Sequence, residues 1–297
     1  MTRMLTALAV AGLAAGAANA QVDGSILGDG YGAPFSVQTV NTEFGDNQSE
    51  LNAAYARISG GRLYLAFTGN LQDNFNKLEL FLQTGPGGSN VFTSAGNDFA
   101  SNMNGMTFAG GFAPNFHVIS RRGNFEGDRF DLDFANLDNS TFSFYGNVFG
   151  GTNFGSGSTG TGVNAQPIEV AYNGSNAAGV VAGSGPANPV DAAAVTTGFE
   201  FSFALSDLGL LGIEGETICV MAFVNNGDHN YASNQFLPGL NAPQGNMGAD
   251  GTGLFTGSIN FDLNNFQSQG YFVVPVPAPS AFALLGLGGL ALARRRR

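Results

Sequence analysis

The chain has 297 residues, with 45 Gly, 27 Phe, no Trp, and 22 acidic residues against 11 basic ones. Setting aside Arg3 and Arg294 to Arg297 at the two ends leaves 6 basic against 22 acidic residues, a net of −16 for the body. A body this acidic is repelled by nucleic acid and anionic lipid, which excludes nucleic acid as a partner, and it attracts divalent cations.

The first element is a leader. "MTRMLTALAVAGLAAGAANA" has a basic residue at Arg3, an apolar run from Leu5 to Ala17 and a small-x-small site at Ala18-Asn19-Ala20. This is the three-part layout of a secretory signal, cut by signal peptidase after Ala20. Residues 1–20 are therefore read as signal peptide, and folding begins near Gln21.

Short strands follow. Ala54 to Ile58 reads as a strand that turns through Gly60-Gly61 into "RLYLAFTGN", although "SELNAAYARI" could also form two helical turns behind a capping Ser49. Leu63, Leu65 and Phe67 share one face of the next strand. In "NKLELFLQT", Leu78, Leu80 and Leu82 face one way, and Glu79 and Phe81 the other. "FHVISRRG" is a further strand from Phe116. "RFDLDFANL" alternates Phe130, Leu132 and Phe134 with Asp131 and Asp133, the pattern of one dry and one wet face. The Gly-rich stretch Phe149 to Pro167, and another from Asn173 to Val195, read as long linkers. "FEFSFALSDLG" resumes the alternation at Phe199, Phe201 and Phe203 and ends in a turn at Ser206-Asp207. "TICVMAFVNN" is apolar on both faces, as in a central strand, and its lone Cys219 reads as a buried, inert thiol. "GSINFDLNNF" and "GYFVV" are the last expected strands. The expected fold is all-β: a single antiparallel β-sandwich of jelly-roll type over residues 21–274, with long Gly-rich loops, flanked by the signal peptide and a short C-terminal apolar helix. Two units, 21–150 and 196–273, are the alternative division.

Few residues carry recognisable chemistry. The only histidines are His117 and His229, and no His-x-x-x-His or Cys-x-x-Cys offers a common zinc site. "GSGSTG" at 155–160 fits a dinucleotide-binding string, but in a loop rather than between a strand and a helix. Acid pairs for sugar hydrolysis could come from Glu79, Asp131, Asp133 or Glu200. Turns at Asp23, Asp29, Asp46 and Asp228 offer the oxygen ligands a structural Ca²⁺ takes, without the spacing of an EF-hand. His229 and Tyr231, in "GDHNYASNQF", combine ring and polar groups suited to a sugar.

The tail is the most distinctive element. Residues 275–297 contain Pro275, Pro277 and Pro279, then "AFALLGLGGLALA", then four arginines. A 13-residue helix spans about 20 Å, short of the ~30 Å of a bilayer core. The arginine cap would sit on the cytoplasmic side during a transient insertion in the inner membrane. The prolines should hold the chain extended and exposed outside it.

Val276-Pro277-Ala278-Pro279, the apolar helix and Arg294, Arg295, Arg296 and Arg297 together resemble the PEP-CTERM sorting signal of Gram-negative bacteria. The resemblance implies processing by an exosortase near the proline motif and delivery to the cell surface or extracellular matrix. The usual motif has Glu between its prolines, where this chain has Ala278. The body, through "LYLAFTGN", "NKLELFLQT" and "FEFSFALSDLG", resembles family 9 carbohydrate-binding modules and DOMON-like sandwiches. The sequence thus points to an exported, non-catalytic surface or matrix protein. A module recognising exopolysaccharide is the alternative, and a secreted glycoside-acting enzyme stands behind both.

Overall fold

The computed structural model describes residues 21–151, 153–267 and 269–277. The signal peptide, with Ala18 and Ala20, and the tail from Ala278 through Arg294 to Arg297 lie outside them.

Thirteen strands run in chain order as β1 (Ser36–Val37), β2 (Glu50–Ser59), β3 (Arg62–Asn70), β4 (Asn74–Gln83), β5 (Phe116–Asn124), β6 (Asp128–Asn136), β7 (Thr141–Phe149), β8 (Phe154–Ser158), β9 (Glu169–Asn173), β10 (Gly198–Ala204), β11 (Thr217–Asn225), β12 (Ala232–Leu237) and β13 (Phe272–Pro275). One sheet has the order β1-β2-β3-β10-β9-β8. The other has the order β12-β11-β4-β5-β6-β7, with β13 beside β12 on the same edge of β11. All named pairings are antiparallel. The result is the expected all-β sandwich. Its connectivity is more local than a jelly roll: β2-β3, β4 to β7 and β8 to β10 are consecutive meanders, and the chain changes sheets only between them.

Alternation explains which faces meet. Leu63, Leu65 and Phe67 of β3 and Phe199, Phe201 and Phe203 of β10 pack against Leu78, Leu80 and Leu82 of β4 and Phe130, Leu132 and Phe134 of β6. Phe134 and Phe203 meet across the sheets at 6.2 Å between ring centroids. Fully burying such side chains contributes roughly 1.5–3 kcal/mol each. Ala54 to Ile58 is strand, not helix. Its hairpin closes through Gly60 and Gly61 at φ 58° and 75°, the paired left-handed geometry of a two-residue hairpin turn.

The outer faces are covered as well. Residues 84–115 and 238–271 lay Phe92, Met103, Met106, Phe108, Met247 and Phe261 over Phe81, Ile119, Met221 and Phe223 of the seven-stranded sheet. The N-terminal segment covers part of the other sheet, with Tyr31 on Ala53, Tyr55 and Ala66. The expectation of a wet face on β6 is corrected by this cover: Asp131 and Asp133 are buried.

Two further corrections concern strand assignment. The Gly-rich stretch after Phe149 is not all linker, because β8 lies within it. A Cβ on Gly157 would come within 2.4 Å of the Val148 carbonyl oxygen, so glycine is what lets β8 pass this close to β7. "GSINFDLNNF" forms no strand. The Asp262 side chain accepts from Asn264 N–H and caps a 3₁₀ turn at Leu263–Asn265, although Ile259, Phe261 and Leu263 are still buried.

Candidate functional site

The body runs into the tail without a spacer. β13 pairs with the first half of β11, and the ladder continues one step further: the Val276 N–H donates to the Glu216 carbonyl oxygen at 2.9 Å. Phe272, Val274 and Val276 are buried, while Val273, Pro275 and Pro277 are exposed. Val276 and Pro277 border a depression shared with Ile58, Leu205, Leu210 and Leu211. The loop beneath is fastened by the Glu216 carboxylate, which accepts from the Leu211, Gly212 and Ile213 N–H groups at 2.8–3.0 Å. Those bonds hold the carboxyl below its usual range. The expectation that this whole stretch is free and exposed is therefore corrected at Val276. Ala278 and Pro279 lie outside the described residues.

A second feature lies under the cover of the seven-stranded sheet. Glu79 of β4 accepts from His117 Nε2 at 2.8 Å and from His229 Nδ1 at 2.5 Å, and all three side chains are 0% exposed. His229 Nε2 meets Asp98 at 3.0 Å, and Asp98 also takes Lys77 at 2.6 Å and Arg121 at 3.0 Å. Arg121 continues to Asp133 at 2.6 Å and Asp131 at 3.6 Å, and Arg129 reaches Asp131 at 2.8 Å. Both nitrogens of His229 face carboxylates, so both must donate and the ring is an imidazolium. Four carboxylates then balance four cations.

The electrostatics agree with that pairing at Glu79, Asp98 and His229, while burial leaves the Asp133 carboxyl raised and the Lys77 ammonium lowered. Burial by itself raises the Glu79 carboxyl, but the charge of His229 and hydrogen bonds from both imidazoles outweigh it and hold the group at about 2. Burial likewise opposes ionisation of Asp98, and His229, Arg121 and Lys77 overcome it. His229 is pushed up, because Glu79 and Asp98 prevail over the burial of its charge. The His117 ring stacks on Phe81 at 4.3 Å, which anchors the cluster in the apolar layer. Sequence reasoning saw these acids and histidines one at a time. Nothing local reveals that residues 79, 98, 117 and 229 converge.

The residues expected to bind metal separate. Asp46 and Asp228 are exposed, and neither joins a group of three possible metal ligands among the described residues. Asp23 and Asp29 come together, and Glu200 joins them: one ligand oxygen from each lies within 4.8 Å of the others. Glu200 Oε2 accepts from the Asp23, Gly24 and Ser25 N–H groups at 2.8, 2.7 and 3.2 Å, and Oε1 accepts from the Tyr31 hydroxyl at 2.9 Å. Burial still pushes its carboxyl up to about 7. Asp29 Oδ1 accepts from Gln21 N–H at 2.8 Å, while Asp29 Oδ2 is buried with no partner among the described residues. An orphaned hard oxygen beside two more carboxylates fits a Ca²⁺ ion. Cleavage after Ala20, as read from the sequence, would turn the Gln21 N–H into an ammonium, a second way to balance Asp29.

The residues expected to meet sugar are poorly placed for it. His229 has no exposed surface and both its ring nitrogens are taken, so it has no atom to offer a ligand. Tyr231 is half-buried, its hydroxyl donates to the Gly253 carbonyl oxygen, and its ring lies beside Phe44. The "GSGSTG" string falls largely within β8, an edge strand, which is not the strand-to-helix turn a pyrophosphate needs. Cys219 is only half-buried, and burial pushes its thiol up, away from the reactive thiolate.

Residues 275–297 match the model of the PEP-CTERM protein-sorting motif. No curated protein and no solved structure matches the chain, so the resemblance of the body to carbohydrate-binding modules and DOMON-like sandwiches finds no support. The chain therefore carries a C-terminal PEP-CTERM sorting motif, the mark of export and exosortase sorting. No helix among the described residues is long and apolar enough to cross a membrane.

Proposed function

We propose that this chain is an exported, non-catalytic surface or matrix protein. Its folded sandwich is the cargo, and its tail is a sorting device removed by an exosortase after a transient stop in the inner membrane. One observation carries the reading: the matched motif begins at Pro275, the last residue of β13, so the signal is joined to the fold with no domain or linker between them. A signal read at the membrane and a folded body that takes in only its first two residues are the two parts a sorted protein needs. The non-catalytic part is supported by the fate of the carboxylates. Glu79, Asp131, Asp133 and Glu200 are all buried and bonded, whereas sugar hydrolysis needs two carboxyl groups facing an open cleft.

The deciding experiment is intact-mass analysis of the protein recovered from its native cells. The expected species begins at Gln21 and has lost the apolar run and Arg294 to Arg297. A protein still ending in Arg297 at the cell surface would overturn the sorting reading.

A further inference from the structure

Arg121 and Arg122 are neighbours in β5 and face opposite sides of the sheet. Arg121 has three carboxylates around it. Arg122 has none within ion-pair distance among the described residues, although the body carries a net of −16. It lies at an open end of the sandwich, 8% exposed. Its one hydrogen bond there runs from Nε to the Leu71 carbonyl oxygen at 2.5 Å, and its guanidinium lies 5.0 Å from the centre of the Tyr172 ring. Nη1 is buried with no partner, and Asn70 Oδ1, close by, is in the same condition. A buried guanidinium without an anion is costly, and native proteins rarely leave one so.

These groups border a pocket of about 270 Å³ lined by Asn47, Asn70, Gln72, Asp73, Arg122 and Asn153. Small-molecule sites run from about 300 to 1,000 Å³, so this one is the size for a single ring. The lining is amide-rich: Asn70 and Gln72 are held by bonds within the protein, while the Asn47 and Asn153 side chains make none among the described residues and can both donate and accept, as vicinal hydroxyls do. A guanidinium offers a planar fork that matches a carboxylate. Asp73 at the exposed rim can accept a hydroxyl, and its charge disfavours a dianion such as a phosphate ester. Phe154, which follows Asn153 in the chain, is 72% exposed and offers an apolar surface.

We propose that this pocket binds a carboxylate-bearing sugar residue, with the carboxylate on Arg122 and the ring hydroxyls on the surrounding amides. The exposed Phe154 takes the next ring where the sugar belongs to a chain. Neither His229 nor Tyr231 is part of its lining, and the site stands whether or not the tail is cut.

Calorimetric titration of the whole exported protein tests it, with galacturonate, glucuronate, an oligogalacturonate, glucose and inorganic phosphate as probes. The uronates are expected to bind saturably, and glucose and phosphate at least tenfold more weakly. A tighter oligogalacturonate identifies a polysaccharide residue as the ligand; equal affinity identifies the free sugar acid. Arg122→Lys keeps the charge and loses the fork, and should weaken uronate binding at least tenfold. Asn153→Ala, at a side chain with no hydrogen bond among the described residues, should weaken it several-fold with an unchanged melting midpoint, which keeps the test open if Arg122→Lys misfolds. Absence of saturable uronate binding at millimolar concentrations, phosphate binding as tightly as uronate, or full affinity in both variants would overturn the proposal.

Discussion

The Glu79 carboxylate lies 2.5 Å from His229 Nδ1 with both side chains fully buried, and 149 residues of chain separate the two in sequence. The contact ties the loop after β11 to the centre of the seven-stranded sheet. It also begins a charge network that runs through Asp98, Arg121 and Asp131 and ends at Arg129.

Removing one partner of a buried pair leaves the other uncompensated, at a cost of about 3–5 kcal/mol. Glu79→Gln is therefore expected to lower the urea midpoint strongly, because the His229 imidazolium keeps only Asp98. Denaturation at pH 7 checks this; a loss below about 1 kcal/mol, the level of an exposed pair, would contradict the buried ion-pair account.

Stability should depend on pH in a defined way. Glu200 and Glu50 are both raised from 4.5 to about 7, chiefly by burial. Between those values the folded state holds protons that the unfolded state has released, so stability falls as pH rises through the window. The raised His229 acts in the same direction above 6.5. Glu79 and Asp98 are lowered, so their contribution is lost as pH falls below their unfolded values of 4.5 and 3.8. A melting midpoint that peaks at about pH 4.5–5 and declines toward neutrality is expected. Glu200→Gln should flatten that decline by roughly 1–3 kcal/mol, allowing for solvent screening. A midpoint rising steadily from pH 5 to 8 would refute it.

Calcium should raise the melting midpoint of the body at pH 7.5, where Glu200 is ionised and the Asp23, Asp29 and Glu200 oxygens can share the ion. Binding at one hundred times Kd is worth about 2.7 kcal/mol. Asp29→Asn is expected to abolish the response. Equal midpoints with calcium and with chelator would dispose of the site.

Val276→Pro removes the N–H that Glu216 accepts, a loss of about 1 kcal/mol. Limited proteolysis should then cut sooner around residues 272–277, with little change elsewhere. Unchanged cleavage would mean that the ladder beyond Pro275 holds nothing.

The strands most legible in the sequence were β3, β4, β6, β10 and β11, whose apolar residues recur at every second position or fill both faces. β8 was read as linker because its Gly and Ser answer to the crowding of Val148 and Phe149, not to a core. β12 was missed because its buried Ser233, Asn234 and Gln235 satisfy hydrogen bonds instead of packing as apolar side chains. Asp131 and Asp133 of β6 read as a wet face because the segments that cover them come from distant parts of the chain. Asp23 and Asp29 were recognisable as cation ligands, but Glu200 joins them across 177 residues from Asp23, a separation no local pattern encodes.

Under the proposed sorting, the docking of Val276 also fixes how close the body would sit to the bilayer during the transient stop of the tail. Only Pro277 to Ser280 remain between the docked residue and the apolar run, and four residues reach at most about 14 Å. A body of net charge −16 is thus held within one or two Debye lengths of the membrane surface. Under the proposed sorting, repulsion between this body and anionic headgroups would favour its departure once the peptide bond in the tail is cut.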